Sequence, residues 1–350
     1  MGLLGTVGAR PGASYYSAPM SLTLDEMPDA LLILSFGGPA GPDEVMPFLR
    51  SVVKGAAVPE ARLQEVAARY QRVGGRSPIV DATEALVSAV RAHLASEGPS
   101  LPVYLATRNW TPSLVDTLAQ MRDDGVRRAL VFVTSAFSSW SACRQYLEAI
   151  GAAWTAVPGA PRIDKIRGFW NHPGFLDAVG ARVREVRPEG DCLLLFTAHS
   201  LPTAQAAGCA YEEQLREAAR IVAEDLGGLD WDLAWQSRSG PPSVPWLAPD
   251  VCDRLTALAK EGEDRPIVLV PLGFVADHME VVWDLDVEAV DRAAELGLTV
   301  HRAATAGTHP AFVTMVGDLV RERFGPQRPV RGRLPALPDV CAATCCPPGR

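Results

Sequence analysis

Several absences narrow what this chain can do. No run approaches the roughly 18 consecutive apolar residues of a membrane span, so contact with a bilayer is at most peripheral. Basic residues are the minority, 33 Lys and Arg against 41 Asp and Glu, and the net charge is −8. That balance argues against a nucleic-acid binder, which needs a basic face. Met1 to Met27 lacks the charged start and sustained apolar core of a secretory signal. The seven cysteines are therefore expected to be reduced thiols in a cytoplasmic protein. Met1-Gly2-Leu3-Leu4-Gly5-Thr6 matches a myristoylation pattern that is short and often met by chance. Residues 1–28 are read instead as a disordered leader, with Met20 an alternative start.

What the chain does contain is 48% apolar and 21% charged residues over 350 positions, enough for a sizeable core and two domains. Apolar strand-like runs alternate with helical spacing. The expected strands are Ala30 to Phe36, Val103 to Thr107, Ala129 to Thr134, Cys192 to Thr197, Leu233 to Gln236, Ile267 to Leu272 and Leu298 to Arg302. The expected helices are Glu60 to Tyr70, Ala82 to Leu94, Ser113 to Asp123, Ala142 to Ile150, Tyr211 to Leu226, Pro249 to Lys260, Glu280 to Glu295 and Pro310 to Arg323. This βαβα rhythm predicts an α/β fold of two similar doubly wound parallel-sheet halves with a cleft between them. The halves are set at 29–160 and 161–325, with the final helix able to cross back onto the first. A Pro-rich tail with a cysteine motif, 326–350, is read as a semi-extended linker.

Glu280, Asp284 and Glu288 recur every four residues and share one helix face. A solvated acidic face is one reading. A path for cations or protons is the other, because three adjacent carboxylates repel and a purely structural helix gains little from them. His199 lies just past the end of a buried strand, where open α/β sheets place ligands. His with carboxylate suits Fe²⁺ or proton transfer. His278 is a supporting candidate, and His93, His172, His301 and His309 are read as structural.

Tyr70-Gln71-Arg72-Val73-Gly74-Gly75-Arg76-Ser77 offers backbone N–H groups and, with Arg69, donors for an anion. It lacks the Gly-Lys-Ser/Thr of a Walker loop, and Gly37-Gly38-Pro39 lacks the dinucleotide fingerprint. Trp235 and Trp246 flank a loop with Ser237 and Arg238, as walls for a flat ligand or as core. Cys192 and Cys252 read as core. Cys341, Cys345 and Cys346 supply only three thiols, whereas an iron–sulfur cluster typically needs four. Cys143, opening a helix beside Arg144, is the favoured fourth donor, with Cys209 its rival and zinc the alternative occupant.

Taken together these segments resemble the ferrochelatase family. The resemblance covers about residues 30–325. It rests on Ser35-Phe36-Gly37-Gly38-Pro39, Tyr70 to Ile79, Thr197-Ala198-His199-Ser200-Leu201-Pro202, Trp235-Gln236-Ser237-Arg238 and Asp277-His278-Met279-Glu280, in the family's order. It implies two flavodoxin-like halves around a porphyrin cleft and insertion of Fe²⁺, as substrate, into a porphyrin in haem biosynthesis. It implies that His199 and Glu280 contact the metal or take pyrrole protons, in roles the sequence leaves open. Asp284 and Glu288 match the acidic line, and Arg69, Tyr70, Ser77 and Tyr146 match positions lining the porphyrin. Phe36 stands where some bacterial members carry Tyr, so no phenol oxygen is available there as an axial ligand. The tail with Cys143 resembles the actinobacterial members, which implies a [2Fe–2S] cluster and coproporphyrin III as substrate, with protoporphyrin IX the alternative. Other haem-pathway enzymes are the implied partners. A non-catalytic tetrapyrrole or metal binder, and insertion of cobalt into another tetrapyrrole, are the competing readings.

Overall fold

The computed structural model describes residues 27–54, 58–240, 243–342 and 344–348. Almost all of the expected leader lies outside them. Ala30–Ser35 (β1) and Arg128–Val133 (β3) are buried at every position. Runs apolar on both faces are what a parallel sheet covered on both sides requires. Val103–Thr107 (β2) and Arg162–Lys165 (β4) complete the first sheet, parallel throughout, in the order β2-β1-β3-β4. Leu193–His199 (β5), Trp231–Gln236 (β6), Ile267–Val270 (β7) and Val300–Arg302 (β8) form the second, also parallel, in the order β6-β5-β7-β8. The two halves thus repeat one topology, and the expected α/β architecture is the one observed.

The first half carries Val45–Val52 (α1), Glu60–Arg72 (α2), Pro78–Glu97 (α3), Leu114–Asp123 (α4) and Gln145–Ala156 (α5). Then follow Pro173–Val186 (α6), Thr203–Ala206 (α7), Tyr211–Asp225 (α8), Val251–Glu261 (α9), Met279–Val281 (α10), Val290–Leu296 (α11) and Pro310–Arg321 (α12). The expected strands form within two residues of their expected ends. The sequence reading missed β4, α1, α6 and α7. β4 is too short to alternate visibly, and Gly174 and Gly180 weaken the helical signal of α6. β4 carries the first sheet to residue 165, past the division set at 160.

Two stretches expected as plain α-helix are not. Trp140–Arg144 is a π-turn that opens onto α5, and Val282–Ala289 is a π-segment joining α10 to α11. π-turns interrupting α-helices often mark functional sites.

α12 crosses to the first half and packs on α3 as well as α6. Gly317 permits this approach, because a Cβ there would stand 2.5 Å from Nε2 of His93. The side chains of Phe132, Phe169, Phe175 and Phe312 pack beneath, mostly edge to face with centroids 5.0–6.3 Å apart, and tie the halves together.

Among its described residues the tail has no regular element, as a semi-extended linker would, but it is anchored: Asn171 donates to the carbonyls of Leu334 and Pro335, and Leu334 and Leu337 pack on the core. Where the tail leaves α12, Arg167 (1% exposed) donates two 2.8 Å hydrogen bonds to Glu322 (5% exposed) and a third to the carbonyl of Pro329. Losing one partner of such a pair strands a buried charge. Glu322→Ala should lower the urea unfolding free energy by about 3–5 kcal/mol, and Arg167→Met/Glu322→Leu should recover most of that loss. A single variant within ~1 kcal/mol of wild type would contradict the role given to this pair.

Candidate active site

β5 runs one polar residue beyond its apolar core, and that residue is His199, paired in register with Gln236 of β6. The turn that follows is pinned from three sides. Ser200 N donates to the carbonyl of Gln236 (2.8 Å), Ser200 Oγ to that of Leu247 (2.9 Å), and Tyr211 Oη to that of His199 (3.1 Å). His199 Nδ1 lies 2.6 Å from the carbonyl oxygen of Ser200. A carbonyl only accepts, so Nδ1 carries the hydrogen and Nε2 is left facing outward. Nε2 sits 3.6 Å from Oε2 of Glu280.

Glu280 is placed by the helix that starts beside it. His278 caps that helix, its Nδ1 accepting from Glu280 N at 3.2 Å. The cap needs a neutral ring, and burial together with the nearby His199 holds the His278 pKa down. The His199 and Glu280 side chains are 31% and 50% exposed, yet lost solvation is the largest influence on both. Both groups are thus surrounded by protein but still reached by water.

Burial alone would push the Glu280 pKa up; the contact with His199, aided by His278 and Arg69, outweighs it and holds the carboxyl at about 2. Burial likewise opposes the charged form of His199, and Glu280 outweighs it, so the imidazole pKa is raised. Asp284 behaves the opposite way. Burial, with Glu280 and Glu288 close by, lifts it to about 7, against a hydrogen bond from Ser237 and the charge of Arg69. Glu288 accepts from Trp283 Nε1 and meets Arg69 Nη2 at 3.5 Å. Adjacent carboxyls that hold protons over different pH ranges can pass them along.

The first half closes over this row through α1 and α2. Phe48, Leu63 and Tyr70 share one apolar cluster with Met279 and Trp283 of the second half. Arg69 and Arg72 each lie 5.1 Å from the Trp283 ring centroid. Arg69 and Tyr70 are thus brought to the row. Ser77 and Tyr146 take positions on the first half: Ser77 lies under the Gly37-Gly38-Pro39 loop, 2.8 Å from where a Cβ on Gly38 would stand. Tyr146 is buried beside Arg108, whose guanidinium lies 4.8 Å from the Tyr146 ring and 5.2 Å from that of Phe36. Arg76, expected as an anion donor, is engaged by Asp81 and the carbonyl of Ala40. Trp235 is core, tilted against Tyr211 at 5.9 Å. Sequence reasoning missed Arg108 and the role of Ser237, whose φ of +62° is an uncommon conformation invisible in the letters.

At the far end of the chain, Cys143, Cys341, Cys345 and Cys346 line one cavity of about 160 Å³. Cys345 and Cys346 have their sulfurs 3.5 Å apart. A hydrogen bond from Cys346, with the charges of Lys165 and Arg144, outweighs burial and brings the half-buried Cys143 thiol down to about 6. Among the described residues, no group of three or more His, Cys, Asp or Glu is arranged around a single metal-ion position. The Cys209 thiol points back into its own turn, at the carbonyls of Gln205 and Ala206.

A family model described as ferrochelatase matches residues 28–324. The chain is 52% identical to the coproporphyrin III ferrochelatase of Frankia alni over 92% of this chain and 87% of that one. It is 46% identical to the ferrochelatase of Rhodopirellula baltica, covering 92% and 95%. Among solved structures, SirB from Bacillus subtilis with Fe³⁺ superposes with a TM-score of 0.55 at 15% identity, covering 85% of this chain and 96% of that one. This last likeness speaks for the fold alone.

Asp284 ionises near 3.8 in an unfolded chain and near 7 in this fold. Between those values the folded state binds the extra proton, so this group's contribution to stability falls as pH rises. In urea unfolding, Asp284→Asn should therefore gain on wild type from pH 4 to 7 and hold that gain above it. Parallel stability curves for the two proteins would contradict the assignment.

Proposed function

The chain belongs to the ferrochelatase family, and from that premise we propose that it inserts Fe²⁺ into coproporphyrin III at the His199–Glu280 pair. Iron insertion into a porphyrin, in haem biosynthesis, is the activity of the family. The observation that carries the site is the 3.6 Å approach of His199 Nε2 to Glu280 at the head of a carboxylate row.

The reaction exchanges two pyrrole protons for one dication. Glu280 stays ionised far below neutral pH, so it offers a hard oxygen donor to incoming Fe²⁺. A dication there removes the partner that favours protonated His199. The imidazole then gives up its Nε2 proton and becomes a base. Nδ1–H is held by the Ser200 carbonyl, so Nε2 is the one ring position that can take a pyrrole proton. Asp284, with a pKa of about 7, is matched to receive protons in turn. Ring distortion that exposes the pyrrole lone pairs draws on binding elsewhere on the macrocycle, for which Arg69, Tyr70, Ser77 and Tyr146 are the proposed contacts.

Coproporphyrin III is favoured over protoporphyrin IX because the actinobacterial relatives carry that substrate in their names. The four thiols lining one cavity fit a [2Fe–2S] cluster, which typically takes four cysteines. Cys143, Cys341, Cys345 and Cys346 would hold it. A bound cluster supplies a redox-active cross-link between tail and body. Insertion itself changes no oxidation state, so no step passes through it. None of the seven cysteines is paired in a disulfide, in keeping with a cytoplasmic location.

An anaerobic assay that follows porphyrin fluorescence with Fe²⁺ tests the proposal. Wild type should consume coproporphyrin III faster than protoporphyrin IX. His199→Ala should lose roughly 10²–10⁴-fold in rate while still binding porphyrin. Binding without turnover by wild type would instead favour a carrier, and preference for protoporphyrin IX or for cobalt would overturn the substrate assignment. Anaerobically purified protein should be coloured and carry iron and sulfide, and Cys143→Ala should not. Colourless, zinc-containing wild type would retire the cluster.

A further inference from the structure

Among the described residues lining the cavity of the four thiols, one side chain is cationic, Lys165. It is the last residue of β4, two positions beyond the buried Ile163 and on the same sheet face. Its ammonium is anchored by one hydrogen bond to the carbonyl of Ile166 at 3.0 Å, which leaves further N–H groups for other partners. Leu337 and Pro338 provide apolar walls. The neighbouring arginine is used differently: Arg144 Nη2 donates to the carbonyls of Ala342 and Cys345, at 3.0 Å each, and so holds tail backbone.

Resting on the cluster reading above, we propose that Lys165 is a positioning residue whose charge sets the reduction potential of the cysteine-bound centre and helps retain it. Four thiolates around a two-iron core leave a net negative charge, and reduction adds one more. A fixed ammonium in an apolar cavity stabilises the reduced form more than the oxidised one. Removing it should therefore move the potential downward. Arg keeps the charge on a different frame, so Lys165→Arg separates charge from shape.

The test is an anaerobic redox titration of the full-length protein, followed by visible absorbance and by electron paramagnetic resonance of the reduced state. Lys165→Gln should show a lower potential than wild type, with Lys165→Arg close to wild type. If Lys165→Gln does not retain iron and sulfide and Lys165→Arg does, the charge role stands. An unchanged potential in cluster-bearing Lys165→Gln would overturn the proposal, as would cluster loss in both variants, which would assign Lys165 a packing role. Wild type lacking iron and sulfide would defeat the cluster reading itself and this proposal with it.

Discussion

The contact between His199 and Glu280 decides the protonation of both groups. Without a partner, each group would be driven toward its neutral form by lost solvation. Placed 3.6 Å apart, each holds the other charged. Asp284 has no such partner and stays largely protonated toward neutral pH. Two carboxyls on one helix therefore do different work because only the first meets an imidazole. In the proposed reaction, a cation arriving at Glu280 would alter this balance and turn His199 from a counterion into a base.

Holding that geometry falls to elements with little chemistry of their own. β5 ends on His199 because its apolar run is spent there, and the Leu201–Leu247 and Ser200–Leu247 hydrogen bonds fix the turn. His278 caps the helix that carries Glu280. The π-segment Val282–Ala289 widens the helix where Asp284 and Glu288 project. The Arg69–Trp283 contact, with the packing of Phe48 and Tyr70 on Met279 and Trp283, brings the first half over this surface.

Much of this could be read from the letters, for identifiable reasons. Strands buried on both faces leave continuous apolar runs, so β1, β3, β5 and β7 stood out. His199 was visible because a polar residue ends such a run, and Glu280, Asp284 and Glu288 because of their spacing. Other features depend on tertiary structure and leave no local trace. A π-turn is a choice of hydrogen-bond register. The positive φ of Ser237 is imposed by its loop. β4 is too short for periodicity, which hid both the true extent of the first sheet and the placement of Lys165. The tail looked like a linker because its anchors, Arg167, Asn171 and Glu217, lie far away in sequence.

The most direct test of the central claim is an NMR titration of the His199 imidazole in wild type and in Glu280→Gln. If the carboxylate sustains the imidazolium, the His199 pKa lies above the ordinary 6.5 in wild type and falls in the variant, where only the Ser200 carbonyl and the Asp284 charge still oppose burial. An identical midpoint in the two proteins would show that the pair is not coupled, and the proposed exchange of iron for protons would lose its trigger.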